Sequence, residues 1–209
     1  MYMPPLYREE DLSTLHSLMQ QFSCATRVTR HAGAHGGPDL PLVLETQGGR
    51  YGTLEGDVAR GNTQWRALEA AGEVLLIFQG PHAYVSPSWY EVELSVPTWN
   101  YAAVHAYGTP QLITDYDTCY TVLDRLVRLH ESQFARPWLF QLPEAYVQQM
   151  MQGIVAFGIR LTRLEGKFKL NRSLADQQHV AATLQQSAEP LSRDVGHLMQ
   201  QRQAGVVSP

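Results

Sequence analysis

The sequence predicts a mainly β fold with flanking helices (α+β), built as a closed or half-closed antiparallel barrel, and three observations support this. Several apolar, strand-like runs are joined by short hairpin connections or separated by helical segments. The regular strand–helix alternation of a doubly wound parallel sheet is missing. Neither a GxGxxG nor a Walker phosphate loop is present. We therefore expect a β domain with helices packed outside the sheet.

The first third of the chain is predicted to form one helix followed by short strands. Apolar residues recur at helical spacing from Glu9 to Phe22, whereas Ser23–Thr29 alternates like a strand. A glycine-rich turn follows at residues 31–39. The next predicted elements are strand Leu40–Leu44, a hairpin turn at Gln47–Gly49, strand Arg50–Leu54, and helix Thr63–Ala71, capped by Asn62 and closed by Gly72.

The rest of the chain is predicted to alternate between strands and longer helices. The predicted strands are Val74–Phe78, Ala83–Ser86, Tyr101–Ile113 and Ile154–Leu164. The predicted helices are Asp115–Phe134, Pro143–Met151 and Ser173–Ser187, the last with Asp176 at the capping-box position. From Glu189 onward we expect poor order, apart from helical turns at Val195–Arg202. The expected organisation is a barrel domain at 1–190 and a partly disordered tail at 191–209.

Composition limits the classes of function. The net charge of −4 and the pI near 6.0 give no electrostatic argument for a broad DNA-binding surface. Neither direct contact with DNA nor an indirect effect through another protein is selected by the sequence. Two cysteines imply no disulfide framework. The polar, proline-containing N-terminus is unlike a signal peptide, and no apolar run reaches the roughly 18 residues of a membrane span. A cytoplasmic protein without a membrane partner is expected.

The segment from Val74 to Tyr107 is unusually rich in aromatic and hydroxyl side chains. Such groups suit a flat ligand with polar edges, or an aromatic subunit interface, better than a closed core, where each N–H or O–H needs a partner. Four large rings are too many for one monomer to hide, so a homodimer is expected. These rings belong to Tyr84, Trp89, Trp99 and Tyr101.

Longer motifs carry a family resemblance. DVARGNTQW (57–65), FQGPHAYVSPSWY (78–90) and VPTWNYAAVHAYG (96–108) resemble the PaiB-type family of FMN-binding negative transcriptional regulators, over nearly the whole chain. The resemblance implies the FMN-binding split-barrel fold, a homodimer and a flavin held between subunits. Asp39 and Asp57 stand where family members often have histidine.

Two groups of residues are expected to bind the flavin. Arg60, Asn62 and Gln64 lie where a strand gives way to a helix, which suits a phosphate because helix N–H groups and a guanidinium converge there. The alternative is a purely structural role, in which Asn62 only caps the helix while Arg60 pairs with Asp57 or Glu55. The flavin ring is assigned to Gln79, Tyr84, Ser86, Ser88, Trp89, Trp99 and Asn100. The alternative for this second group is a dimer interface alone.

The favoured function is a PaiB-like transcriptional regulator and repressor that binds FMN or a similar flat anionic molecule. One alternative is a flavin-dependent oxidoreductase or a haem-degrading split-barrel enzyme, and another is a ligand-free regulatory scaffold. No residue is assigned a catalytic role, because a flavin carries its own redox chemistry. No metal site is predicted, since His31 and His35 lie in a glycine-rich loop rather than on one face of a helix.

Overall fold

The structure is a computed structural model that describes residues 1–31, 34–36, 39–90, 94–170 and 174–206. It divides into two compact units. The first unit comprises Met1–Asp11, Gln79–Val104 and Glu165–Pro209. The second unit comprises Leu12–Phe78 and His105–Leu164. Within the described ranges, no helix is both long enough and apolar enough to cross a membrane.

The described residues form a nine-stranded antiparallel sheet. Its order is β3-β2-β7-β8-β9-β6-β5, with β1 beside β9 and β4 beside β2. The strands are β1 (Arg8–Glu9), β2 (Cys24–His31), β3 (Ala34–Gly36), β4 (Asp39–Pro41), β5 (Val43–Glu45), β6 (Thr53–Ala59), β7 (Val74–Val85), β8 (Thr98–Ile113) and β9 (Ile154–Lys169). The predicted class, β with flanking helices, is confirmed.

Six α-helices accompany the sheet in the described part of the chain. They are α1 (Leu12–Gln21), α2 (Trp65–Glu69), α3 (Tyr116–Glu131), α4 (Glu144–Met151), α5 (Leu174–Gln185) and α6 (Pro190–Val206). Local chemistry fixes where α3 and α4 begin. The Asp115 carboxylate accepts a hydrogen bond from the Thr118 N–H at 2.8 Å, which caps the start of α3. Pro143 precedes α4 and has a non-helical ψ of 134°, so the helix begins after it. Both starts agree with the sequence prediction.

The long strands differ from their predicted bounds. Val74–Phe78 and Ala83–Ser86 were expected as two strands, but β7 runs without a break from Val74 to Val85. Gly80 and Pro81 are both buried, so the side of the strand that is covered changes between them. Because the alternation of buried and exposed residues shifts by one at this point, the sequence pattern predicts two strands instead of one.

The hairpin before β6 is longer than expected. Gly49 and Gly52 have φ angles of 107° and 88°, a left-handed conformation that costs little only for glycine. The turn therefore extends to Gly52, and β6 begins at Thr53 instead of Arg50. The expected strand Leu40–Leu44 is interrupted at Leu42, whose N–H donates to the carbonyl of Ser23 at 3.0 Å. The glycine-rich turn at 31–39 lies largely outside the described side chains.

Poor order was expected beyond Glu189 apart from helical turns at Val195–Arg202, but the structure has one continuous helix over residues 190–206. These residues form α6, which packs against α5 in the first unit. Val195 and Met199 are buried, as are Val180 and Leu184 of α5. Gly196 allows a close approach, because a Cβ there would lie 2.8 Å from the Ala181 carbonyl oxygen. Tertiary packing thus stabilises a helix whose own apolar pattern is weak.

Candidate functional site

The second unit contains a pocket of about 550 Å³, here called the Arg60 pocket. Its volume falls in the range of roughly 300–1,000 Å³ that is usual for small-molecule sites. The side chains that give it chemical character are Arg60, Trp65, Glu69, Tyr116 and Cys119. Its floor comes from the start of β9 and the end of α4. The pocket therefore combines one guanidinium, two aromatic rings and one carboxylate.

The Arg60 side chain is anchored to the backbone that leads into β9. Its Nε donates to the Gln152 carbonyl and its Nη2 to the Ile154 carbonyl, each at 2.7 Å. The Arg60 N–H also donates to the Gly153 carbonyl at 2.8 Å. These bonds orient the guanidinium, and Nη1 makes no hydrogen bond to any described residue. One N–H edge thus stays available beside a fixed positive charge.

Arg60 does not pair with a carboxylate among the described residues. Glu55 is instead bonded to Arg125, with Oε2 2.7 Å from Nη1. No ion pair joins Asp57 to Arg60 in the part of the chain that the structure describes. The alternative prediction, in which Arg60 forms an ion pair with Asp57 or Glu55, is therefore wrong. Arg60 donates to backbone carbonyls and forms no ion pair with a described residue.

The turn after Arg60 differs in detail from the predicted helix start. Helix α2 covers only Trp65–Glu69, shorter than the expected Thr63–Ala71. Asn62 accepts from the Gln64 N–H at 3.1 Å, so its side chain supports the turn without being the residue that precedes α2. Asn62 and Gln64 are exposed and do not line the pocket. Their contact with a phosphate stays a prediction.

Trp65 is a pocket residue that the sequence did not single out. Its indole Nε1 donates to the Arg60 carbonyl at 3.1 Å, which fixes the ring beside the arginine. Tyr116, at the first turn of α3, lines the same space. The tryptophan that ends the motif DVARGNTQW was the available signal. The sequence around Tyr116 gives no sign of this role, because α3 is brought next to Arg60 only by the tertiary structure.

The Cys119 thiol, which lines the pocket, stays protonated and uncharged because it is buried. Burial raises the pKa of the Cys119 thiol, the nearby Asp57 carboxylate raises it further, and the Arg60 guanidinium acts in the opposite direction. The thiol is only 8% exposed, so it behaves as a small apolar side chain. Among the described residues that line this pocket, Arg60 is the one cation.

The first unit carries an aromatic patch, defined by His82 and Tyr84 of β7 and Trp99 of β8. The Tyr84 and Trp99 rings meet edge to face with centroids 6.0 Å apart, and the His82 ring lies 6.2 Å from Trp99. Tyr84 is 48% and Trp99 53% exposed. Lys169 steadies the strand by donating from Nζ to the Trp99 carbonyl at 2.7 Å. Two large rings are therefore held in place yet left open to solvent.

The other predicted residues of the first unit are only partly near this patch. Ser86 and Ser88 bond to each other, with hydroxyl oxygens 2.8 Å apart at the short 3₁₀ helix that contains Trp89. Gln79 is exposed on β7. Asn100 is fully buried, and its Nδ2 donates to the Met199 sulfur at 3.4 Å. Because neighbouring residues of a strand point to opposite faces, Asn100 does not share the surface of Trp99.

Comparison with known proteins gives concordant results. Residues 1–163 match the protein family described as "Putative FMN-binding domain". A Bacillus subtilis protein named "Protease synthase and sporulation protein PAI 2" is 34% identical over 205 residues, which covers 97% of this chain and 98% of that protein.

Two solved structures are similar in fold. The flavocytochrome Anf3 from Azotobacter vinelandii has a TM-score of 0.59 at 13% identity, over 81% of this chain and 74% of its own. The FAD and heme binding protein from Mycobacterium smegmatis has a TM-score of 0.56 at 14% identity, over 81% and 78%. These likenesses confirm the predicted split-barrel fold. With more than half of its length matched, the chain belongs to the family described as "Putative FMN-binding domain".

Proposed function

We propose that this protein is an FMN-binding regulator that represses transcription as a homodimer, and that the Arg60 pocket holds the flavin phosphate. The observation that carries the proposal is the pocket itself: an oriented guanidinium with a free N–H edge stands beside two aromatic rings. Membership of the FMN-binding domain family and the relative named for protease synthesis and sporulation support it.

The residues present fit FMN. A phosphate takes charge-assisted hydrogen bonds from arginine, and Arg60 offers Nη1 on a guanidinium that forms no ion pair with a described residue. Trp65 and Tyr116 offer planar faces for an aromatic ring. Glu69 stands at the same pocket and favours the hydroxyls of a ribityl chain over a second phosphate. The bound flavin supplies redox chemistry, while these side chains bind and orient it.

The homodimer and the repressor role rest on separate observations. The aromatic patch exposes Tyr84 and Trp99, which suit the centre of a subunit interface. Gln79, Ser86, Ser88 and Trp89, which were assigned to the flavin ring from the sequence, are proposed to belong to this interface, their stated alternative. A net charge of −4 favours repression through a local surface or a protein partner over a broad basic face. RNA sequencing of a deletion strain, in which repressed genes rise, tests that role.

The binding of FMN should depend on Arg60 through the phosphate. We expect the purified protein to prefer FMN over riboflavin by about tenfold to a hundredfold, since hydrogen bonds to charged groups contribute about 1.5–3 kcal/mol. The Arg60→Gln variant should bind both flavins about equally. Quenching of flavin fluorescence measures all four dissociation constants. The ratio within each protein removes any general loss of folding from the comparison.

A matched control uses Arg50, an exposed arginine of the second unit that lies outside the pocket. Arg50→Gln changes the net charge equally and should leave the preference for FMN intact. An unchanged preference in Arg60→Gln would place the phosphate elsewhere. Wild-type protein that binds neither flavin at about 50 µM, far above the affinity expected of a resident cofactor, would refute the flavin proposal itself.

A further inference from the structure

A second pocket, here called the Asp57 pocket, lies in the second unit and has a different character. Its volume is about 240 Å³, which equals about eight water molecules at ~30 Å³ each. Apart from Asp57 and the phenol of Tyr146, its walls are apolar. They come from Leu123, Val127, Phe140, Leu142, Tyr146, Val147, Met150, Met151 and Ile154. Met151 and Ile154 also line the Arg60 pocket, whereas Asp57 does not.

Strand β6 presents two carboxylates on its half-buried side, and the structure treats them differently. Glu55 has a cationic partner, since Arg125 of α3 lies 2.7 Å from its Oε2. Asp57, two residues further along, has neither an ion pair nor a hydrogen bond to any residue that the structure describes. The protein thus supplies a cation for one carboxylate of this pair and leaves the other facing apolar walls.

An unpartnered carboxylate in such surroundings is costly, and a ligand can remove that cost. Burial raises the pKa of the Asp57 carboxyl, and no neighbouring cation offsets this effect. A carboxylate of this kind gains most from a bound cation that can also donate hydrogen bonds. The aromatic rings of Phe140 and Tyr146 and the adaptable side chain of Met150 suit an apolar group attached to that cation.

We propose that the Asp57 pocket binds a small primary ammonium ion that carries an aromatic or alkyl group, about eight non-hydrogen atoms in all. The ammonium group donates to the Asp57 carboxylate, and the apolar group occupies the space between α3 and α4. This site goes beyond the proposed flavin function: it is a separate place for a second small molecule, with the opposite charge preference to that of the Arg60 pocket.

The test compares two probes of equal size, benzylammonium and benzyl alcohol, each with eight non-hydrogen atoms. Isothermal titration of the full-length protein without flavin should show a preference for benzylammonium of about tenfold or more, as expected for a charge-assisted bond over a neutral one. Asp57→Asn keeps the size of the side chain and should bring the two probes within about twofold. Benzoate should not bind.

Two further measurements control for a loss of folding and for a change at the Arg60 pocket. Asp57→Asn should unfold at the same temperature as the wild type or higher, because the variant no longer carries a half-buried charge without an ion-pair partner. Arg60→Gln, which tests the flavin site, should retain the preference for benzylammonium. Equal affinity of the wild type for both probes, absence of binding at 10 mM, or an unchanged preference in Asp57→Asn would overturn the proposal. None of these results depends on whether FMN binds.

Discussion

Replacement of Gly108 by alanine is expected to lower the free energy of unfolding by about 2 kcal/mol, within the range found when a packed interior is overfilled. An added Cβ would lie 2.5 Å from the Arg160 carbonyl oxygen and 2.8 Å from the Ile159 Cγ2. Both neighbours belong to β9 in the middle of the sheet. The backbone there cannot move away without loosening its hydrogen bonds to β6, which it pairs with from Arg160 to Ile154.

A second strand glycine supplies the matched control. A Cβ on Gly158 of β9 would lie 3.5 Å from the Thr53 Cγ2, which is an ordinary contact. Gly158→Ala should therefore change the free energy of unfolding by no more than about 0.5–1 kcal/mol in either direction. Urea denaturation of both variants measures the difference. Equal stability of the two variants would show that β8 and β9 do not approach as closely at Gly108 as the structure has them.

Truncation of Trp99 is expected to weaken the proposed homodimer by about 2 kcal/mol or more, which raises the dissociation constant about thirtyfold. The reason is its position: Trp99 is more than half exposed in one chain, yet Tyr84, His82 and the Lys169 bond to its carbonyl hold it in a defined place. A rigid aromatic ring of this kind is the usual centre of an interface. Sedimentation velocity over a dilution series measures the effect in Trp99→Ala.

Trp138 is the matched control for Trp99. It is also about half exposed, at 48%, but it lies in the second unit and outside the aromatic patch. Trp138→Ala should leave the dissociation constant unchanged within about threefold, as a residue outside an energetic centre does. A wild-type protein that sediments as a monomer at micromolar concentration would contradict the dimer. In that case the aromatic patch would need a different partner.

The sequence predicts the elements whose ends depend on local chemistry. The starts of α3 and α4 follow from Asp115 and Pro143, and the structure keeps both. Elements that depend on tertiary contacts were predicted less well. Helix α6 packs against α5 and buries Val195 and Met199, and no window of sequence around these residues contains that packing. The continuity of β7 was missed because its covered side changes at Gly80.

The candidate site divides in the same way. Arg60 was identified from its motif, and it does line a pocket. Its bonds to the carbonyls of Gln152 and Ile154 join parts of the chain some ninety residues apart, so the sequence could not show which N–H groups they occupy. Asp57 was noted as a residue that differs from many family members, but its lack of a cation appears only when Arg125 is seen to bond to Glu55.

A crystal structure of the protein grown with FMN tests the proposed flavin site directly. We expect a phosphate oxygen about 2.7–2.9 Å from Arg60 Nη1, the usual length of a charge-assisted hydrogen bond, with the flavin ring against Trp65 or Tyr116. The carbonyls of Gln152 and Ile154 should still hold Nε and Nη2. A flavin bound with its phosphate away from Arg60, or crystals without flavin at saturating concentration, would refute the assignment of the phosphate to Arg60.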